Sequence, residues 1–429
     1  MTLERARGTR DFAAEDAILR QRIVETLRRV FELYGFNPLE TPVLERFETL
    51  ASKYAGGEEI LKEVFKLRDQ GNRELALRYD LTVPLARFIA TNPNLKMPFK
   101  RYAIGSVFRD GPLKTGRYRE FTQCDVDAVG SAGMATDAEM IKIALTAFEK
   151  LGLKITVKVN NRKVLDSIIE KAGVEKEKTE TAILSIDKLE KLGKEAVEKE
   201  LAGKGIDAAA IAKIMQMITT NGNNKDKISN LKKALGENKG LAEIQEVLRL
   251  AGGKGVIFEP SLARGLAYYT GTVFEAYITN SEIKSSAAAG GRYDEMIGKF
   301  VQNGRQYPAV GISFGLDVII DAIKLQRKSS AKSVVKAYLI SIGEDKKTAA
   351  LAESLRKEGI SCDADYTGKA GKAIEYANYY GIPYVIFLGK KETKAGKIKL
   401  RDMKSGKEKL IALKSAIKTL GKNSFITSK

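Results

Sequence analysis

From Asp16 to Tyr34 apolar side chains recur every three to four positions: Ile23, Leu27, Val30 and Tyr34 share one stripe, and Gly35 follows it. That period predicts an amphipathic helix with a glycine stop. Phe36–Glu45 reads as extended and carries Pro42. Leu75–Thr82 reads as a short strand that turns helical over Val83–Ala90. Tyr102–Phe108 and Arg119–Val129 are two strand-like runs separated by Asp110–Tyr118, rich in Gly, Lys and Arg. Such a pair predicts a hairpin with a basic tip.

From Val174 to Leu250 the pattern becomes Lys, Glu, Ala, Leu and Ile without proline, which predicts a helical insertion with a joint at Thr220–Lys225. Strand signals resume at Ala267–Tyr277, pass a glycine turn at Ala289–Arg292, and end with Val310–Leu316 leading into a helix. After the polar linker Arg327–Lys332, strand and helix alternate: Val335–Ile342, Thr348–Glu358, Ile360–Ala364, Lys369–Tyr380, Tyr384–Leu388 and Ile398–Met403. The expected organisation is one domain over 1–326, interrupted by the helical insertion at 174–250, and a small α/β domain over 332–429.

Composition narrows the chemistry. The 429 residues include no histidine and no tryptophan. That excludes an imidazole base, a Ser–His or Cys–His dyad and an imidazole metal ligand. With only Cys124 and Cys362, 238 positions apart, neither a disulfide framework nor a structural zinc site is expected, and a reducing cytoplasm is the natural compartment. No run of eighteen apolar residues is present, so no membrane span is expected. Catalysis is left to Arg, Lys, Asp, Glu, Tyr, backbone amides or a carboxylate-bound Mg²⁺. Charge adds direction. The net charge is +19, and residues 327–429 carry 23 Lys or Arg against 10 Asp or Glu. A polyanion such as RNA suits that excess; a solvated lysine face is the plainer alternative.

Strand parity places Phe121, Gln123, Asp125 and Asp127 on one face of Arg119–Val129, with Cys124, Val126 and Ala128 on the other. One face suits a polar cleft and the other a core, which makes Cys124 a packing residue. Asp80 and Thr82 share a face of the neighbouring short strand. Arg109, Lys114, Arg117 and Arg119 cluster on the hairpin, where guanidinium and ammonium groups can converge on phosphate oxygens.

The longer strings are more specific. Val107-Phe-Arg-Asp-Gly-Pro-Leu-Lys-Thr-Gly-Arg-Tyr-Arg-Glu-Phe-Thr-Gln-Cys-Asp-Val-Asp resembles the second signature of class II aminoacyl-tRNA synthetases in its histidyl form. Leu262-Ala-Arg-Gly-Leu-Ala-Tyr-Tyr-Thr-Gly-Thr-Val-Phe-Glu and Gly290-Gly-Arg-Tyr-Asp resemble the two histidyl-specific stretches. Arg7-Gly-Thr-Arg-Asp-Phe resembles the family's opening, and Pro42 the proline at its dimer interface. The likeness runs from about residue 7 into the C-terminal domain and is nearest to the archaeal and eukaryotic branch.

The resemblance implies an α+β catalytic domain, an antiparallel sheet flanked by helices, with a helical insertion and a C-terminal α/β anticodon-binding domain. It implies a cytoplasmic homodimer that activates histidine with ATP and Mg²⁺ and transfers it to tRNA(His). Carried over by position, Asp80 and Thr82 hold the α-amino group, Arg109 bridges the substrate carboxylate and the ATP α-phosphate, and Gln123, Asp127, Tyr268 and Tyr269 line the histidine pocket. Arg264 matches the histidyl-specific catalytic arginine, and Arg109, Lys114 and Arg117 are the expected ATP contacts. No protein metal ligands are implied. Three positions depart from the pattern: Gly111 where the family has Glu, Ala267 where it has Asp, and Val318 where it has Arg. Two of these fall on ATP contacts. A non-catalytic histidine-binding relative and a variant built without His and Trp are the alternatives they leave open.

Overall fold

A computed structural model describes residues 3–51, 61–113, 118–265, 268–301, 304–326 and 331–421. The chain forms two compact units: Met1–Arg10 with Ile23–Gln326, and Asp11–Arg22 with Arg327–Lys429.

In the first unit an eight-stranded sheet comprises β1 (Asn37–Pro38), β5 (Phe99–Phe108), β6 (Glu120–Val129), β7 (Ile155–Asn161), β8 (Val256–Phe258), β9 (Thr272–Ile278), β10 (Ala288–Arg292) and β11 (Ala309–Gly315). Their order is β1-β5-β6-β11-β10-β9-β7-β8. All inner pairs are antiparallel, and only the edge strands β1 and β8 pair in parallel. A smaller antiparallel sheet holds β2 (Leu44–Arg46), β3 (Lys66–Arg68) and β4 (Glu74–Leu77), with β4 in the middle.

The helix Ala14–Leu33 buries Ile23, Leu27 and Val30, and Phe31 rather than Tyr34 completes the stripe. Gly35, at φ +77°, then reverses the chain and buries Phe36. Strand β6 pairs with β5 over its whole length, from Phe99↔Val129 to Phe108↔Glu120. Its apolar face, Cys124, Val126 and Ala128, is fully buried. Phe314 of β11 stands opposite Cys124 and packs against Phe31 and Phe148 at 5.4 and 5.9 Å between ring centres. Helices therefore cover one face of the sheet and leave the polar face of β6 for the cleft.

Beyond the helix Arg162–Ala172, six further α-helices separate β7 from β8: Thr179–Ile186, Leu189–Leu192, Lys194–Gly203, Ala208–Ile218, Asn224–Leu235 and Lys239–Ala251. Because β7 and β8 are parallel neighbours, the chain needs a crossover between them, and the insertion lies within it. Asn223 starts the helix Asn224–Leu235 with a reciprocal capping box to Asp226, inside the break read in the sequence at Thr220–Lys225.

Three segments differ from the sequence reading. The strand at Leu75 stops at Leu77, and the next helix begins at Thr82, because the Asp80 carboxylate accepts the Val83 N–H at 3.0 Å and fixes a helix start. Ala289–Arg292 is not a turn but part of β10. Its glycines permit close strand approach: a Cβ on Gly290 would lie 2.0 Å from the Gly311 carbonyl oxygen. Strand β9 begins at Thr272 rather than at position 267.

The second unit carries β12 (Ala337–Ile342), β13 (Cys362–Asp365), β14 (Tyr384–Gly389), β15 (Ile398–Asp402) and β16 (Glu408–Ile411), in the order β13-β12-β14-β15-β16. The first three are parallel; β15 and β16 add antiparallel strands. Both faces are covered. Leu339, Ile386 and Leu400 pack against Leu355 and Leu420 on one side, while Ile340 and Val385 pack against Ala373 and Ala377 on the other. Strand β16 and the helix Leu413–Gly421 were not read from sequence; in β16 Glu408, Lys409 and Leu410 are all exposed, which hides any alternation. No helix among the described residues is long and apolar enough to cross a membrane.

Candidate active site

A cavity of about 300 Å³ opens over the polar face of β6. It gathers Asp80, Thr82, Arg109, Gln123, Asp127, Arg264, Tyr268 and Tyr269, every described residue that the sequence pointed to for histidine. Lys114, Arg117 and Ala267 lie outside the described residues.

Alternation along β6 aims Gln123, Asp125 and Asp127 at the cavity. Gln123 donates from Nε2 to Ser313 Oγ at 3.3 Å, while its buried Oε1 has no hydrogen-bond partner among the described residues. Asp127 is 3% exposed and forms an ion pair with Arg101 at 2.8 Å. It also accepts a short hydrogen bond from the Tyr293 hydroxyl. Asp125 is 4% exposed, and its Oδ1 has no hydrogen-bond partner among the described residues. Burial first, then the neighbouring Asp127 charge, push its carboxyl up to about 7, although Arg101 pulls the other way. Burial likewise raises Asp80 to about 6, against the Val83 N–H and Arg109.

Cations stand at two sides of this acidic floor. Arg109 follows β5 directly; its Nε donates to the Tyr79 carbonyl at 3.1 Å, and its guanidinium lies 5.1 Å from the Phe121 ring centre. Arg264 stands 5.4 Å from the centre of the Tyr269 ring and pairs with Glu275 at 3.1 Å. Tyr268 and Tyr269 pack with centres 4.8 Å apart, and Tyr293 meets Tyr268 edge-on at 6.0 Å.

The remaining wall is glycine. A Cβ on Gly311 would lie 2.0 Å from Asp127 Oδ1, and one on Gly291 would lie 2.9 Å from the Tyr269 ring. Arg292, 1% exposed, reaches back to Asp137 and Asp294 and braces β10 from behind. The string Gly290-Gly-Arg-Tyr-Asp thus supplies close approach, a brace and, in Tyr293, a pocket hydroxyl.

Sequence reasoning did not assign Arg101, Asp125 or Tyr293. Parity had put Asp125 on the right face and Tyr293 stands in the string Gly290-Gly-Arg-Tyr-Asp, so a signal existed for both; Arg101 needed the strand register. At the departures, Gly111 is buried beyond Arg109, and Val318 lies in the first turn of the helix Leu316–Gln326. Asp317, beside it, holds Arg10 at 2.7 Å, and that guanidinium stacks 3.3 Å from the Tyr118 ring centre.

Residues 8–319 match the family described as histidyl-tRNA synthetase, and residues 336–423 match the anticodon binding domain. A histidine–tRNA ligase of Bacillus cereus is 43% identical over 423 residues, covering 97% of this chain and 99% of that protein. One of Aeropyrum pernix is 39% identical, covering 96% and 97%. A histidyl-tRNA synthetase crystal structure from Nostoc sp. superposes with a TM-score of 0.88 at 29% identity, covering 99% of this chain and all of that one. The chain belongs to the histidyl-tRNA synthetase family. A Bacillus halodurans protein titled as an ATP phosphoribosyltransferase regulatory subunit/histidyl-tRNA synthetase shares the fold, at 21% identity and a TM-score of 0.75.

Proposed function

We propose that this protein is a histidine–tRNA ligase, which condenses histidine with ATP to histidyl-adenylate and passes the acyl group to tRNA(His). The observation that carries the reading is the cavity itself: buried hydrogen-bond acceptors on β6 between two arginines, in a chain 43% identical to a histidine–tRNA ligase over 97% of its length. Gln123, Asp127 and Tyr269 select the imidazole, and Asp125 is added to that set by its open acceptor. A pocket built on buried polar groups rejects analogues that leave them unpaired. Asp80 and Thr82 receive the α-ammonium.

In the first step a substrate carboxylate oxygen attacks the α-phosphorus and the bond to pyrophosphate breaks. Arg109 and Arg264 offset the negative charge that grows on the α-phosphate; prepositioned guanidinium groups do so with little reorganisation. In the second step a terminal ribose hydroxyl of tRNA attacks the acyl carbon and AMP leaves. Mg²⁺ would enter with the ATP phosphates. Lys114 and Arg117 are the proposed mobile phosphate contacts.

The second unit takes the anticodon, and the basic excess of residues 327–429 meets its phosphates. A second copy of the chain would cover Val43, Leu44 and Leu67, which are 39%, 46% and 42% exposed around the small sheet that follows Pro42. The cytoplasm is the proposed compartment. Histidine-dependent exchange of pyrophosphate into ATP, followed by charging of tRNA(His), tests the assignment. Exchange driven better by another amino acid would overturn it; histidine binding without exchange would favour a non-catalytic relative.

A further inference from the structure

Arg264 lines two cavities at once. One is the substrate cleft; the other, about 330 Å³, lies between the helical insertion and the outer strands of the same sheet. Glu275 and Tyr277, two apart on β9, point into the second cavity. Glu275 Oε1 accepts from Arg264 Nη1 at 3.1 Å. Its other oxygen, Oε2, accepts a short hydrogen bond from the Tyr277 hydroxyl. That hydroxyl also lies 3.3 Å from Oε2 of Glu190, which the insertion contributes from the short helix Leu189–Leu192.

One phenol has one proton to offer, so two carboxylates compete for it. Lys158 stands between the competitors. It faces Glu275 in the β7–β9 register, lies 4.6 Å from the Tyr277 ring centre, and donates to Glu190 at 2.8 Å. With Glu190 docked, Tyr277 and Lys158 are partly engaged by the insertion, and Glu275 must find its positive partner in Arg264. With Glu190 withdrawn, both donors turn to Glu275 and the hold on Arg264 weakens. The insertion also seats against the arginine's own loop: a Cβ on Gly265 would lie 3.4 Å from Asp187 Oδ2 and 3.7 Å from Leu184 Cδ2.

We propose that Glu275 and Tyr277 are positioning residues for Arg264, and that through them the Glu190 end of the helical insertion sets where that guanidinium stands in the substrate cleft. The proposal rests on the reading of Arg264 as an adenylation residue. It makes the insertion part of the catalytic apparatus without any contact to substrate.

The test is histidine-dependent ATP–pyrophosphate exchange by the full chain and by Glu275→Gln, Tyr277→Phe, Glu190→Gln and the Tyr277→Phe/Glu190→Gln double variant. Each single change should lower kcat by about threefold to thirtyfold, the range for residues that act through a neighbour, and leave KM for histidine within about twofold. The double variant should be no slower than the slower single one, because both changes cut one chain. Glu190 is 56% exposed, so its variant reports on the relay without disturbing the core. Wild-type kcat in the Glu275 and Tyr277 variants, additive losses, or losses that follow KM for histidine or the unfolding midpoint would overturn the proposal. An inactive unmodified chain would overturn the reading of Arg264 and this inference together, whereas an active one with indifferent variants removes the inference alone.

Discussion

Arg101 and Asp127 face each other across the β5–β6 pair with 2.8 Å between charged atoms, and both are almost wholly out of water. The two aspartates of the pocket floor are therefore held differently. Asp127 is ion-paired with Arg101 and accepts from the Tyr293 hydroxyl, although its Oδ2 makes no hydrogen bond among the described residues; Asp125 leaves its Oδ1 open in the same sense.

Removing one partner of a buried pair strands the other charge, at a cost of about 3–5 kcal/mol. Asp127→Asn should lose that much in urea unfolding. Asp125→Asn should lose little stability but raise KM for histidine at least tenfold, since it replaces an acceptor in the pocket by a donor. Equal stability losses for the two variants would contradict this difference.

The raised carboxyl of Asp125, about 7 against an ordinary 3.8, also fixes the sign of a pH dependence. Between roughly pH 4 and 7 the folded chain holds a proton there that the unfolded chain has released. Stability should therefore decline as pH rises through that window, and the slope should flatten in Asp125→Asn. Histidine affinity should move oppositely, improving from pH 6 to 8 as the acceptor ionises. Urea midpoints and calorimetric titrations at pH 5, 6, 7 and 8 would reveal either trend, and a slope unchanged in the variant would rule out Asp125 as its source.

At the departure from the family pattern, Val318 cannot donate to a phosphate, yet Arg10 reaches the same turn through Asp317. If Arg10 is the donor that serves the nucleotide in place of position 318, Arg10→Ala should lower kcat in ATP–pyrophosphate exchange by about 10²-fold, with histidine binding preserved. Adding Val318→Arg to it should recover most of the loss. Unchanged ATP kinetics in Arg10→Ala would leave the turn without a nucleotide role.

On the second unit, Tyr379 and Tyr380 close the helix Ala370–Tyr379 and part in environment. Tyr380 packs against the apolar cluster around Ile340 and Val385, but Tyr379 is 67% exposed, with the Lys332 ammonium 4.9 Å from its ring centre. An aromatic face left in water beside a cation suits an unpaired base. Tyr379→Ala should weaken tRNA(His) binding by about 1–3 kcal/mol while leaving the slope of affinity against salt unchanged, because stacking releases no counterions. A shallower slope would mean that the loss is electrostatic.

What the sequence disclosed followed from periodicity and from long motifs. Alternation alone separated Gln123, Asp125 and Asp127 from Cys124 and Val126, and the motifs brought in Arg109, Arg264 and the tyrosines. It misplaced Asp80 because a carboxylate before a helix looks the same in sequence as one closing a strand; the Val83 amide decides between them. It took Gly290 and Gly291 for a turn because glycine marks both bends and close contacts, and only the position of β11 tells them apart. Arg101, which stands before Asp127 in the chain on the neighbouring strand, became visible only through the β5–β6 register.

The cleft is built on β6, β10 and β11, each flanked by a neighbour on both sides, so it cannot come apart unless the middle of the sheet does. Substrate and fold are then linked by mass action: histidine at a hundred times its dissociation constant would add about 2.7 kcal/mol to the unfolding free energy. Scarcity of the amino acid would slow the protein and also shorten its life, since an empty copy opens more often to proteases than a filled one.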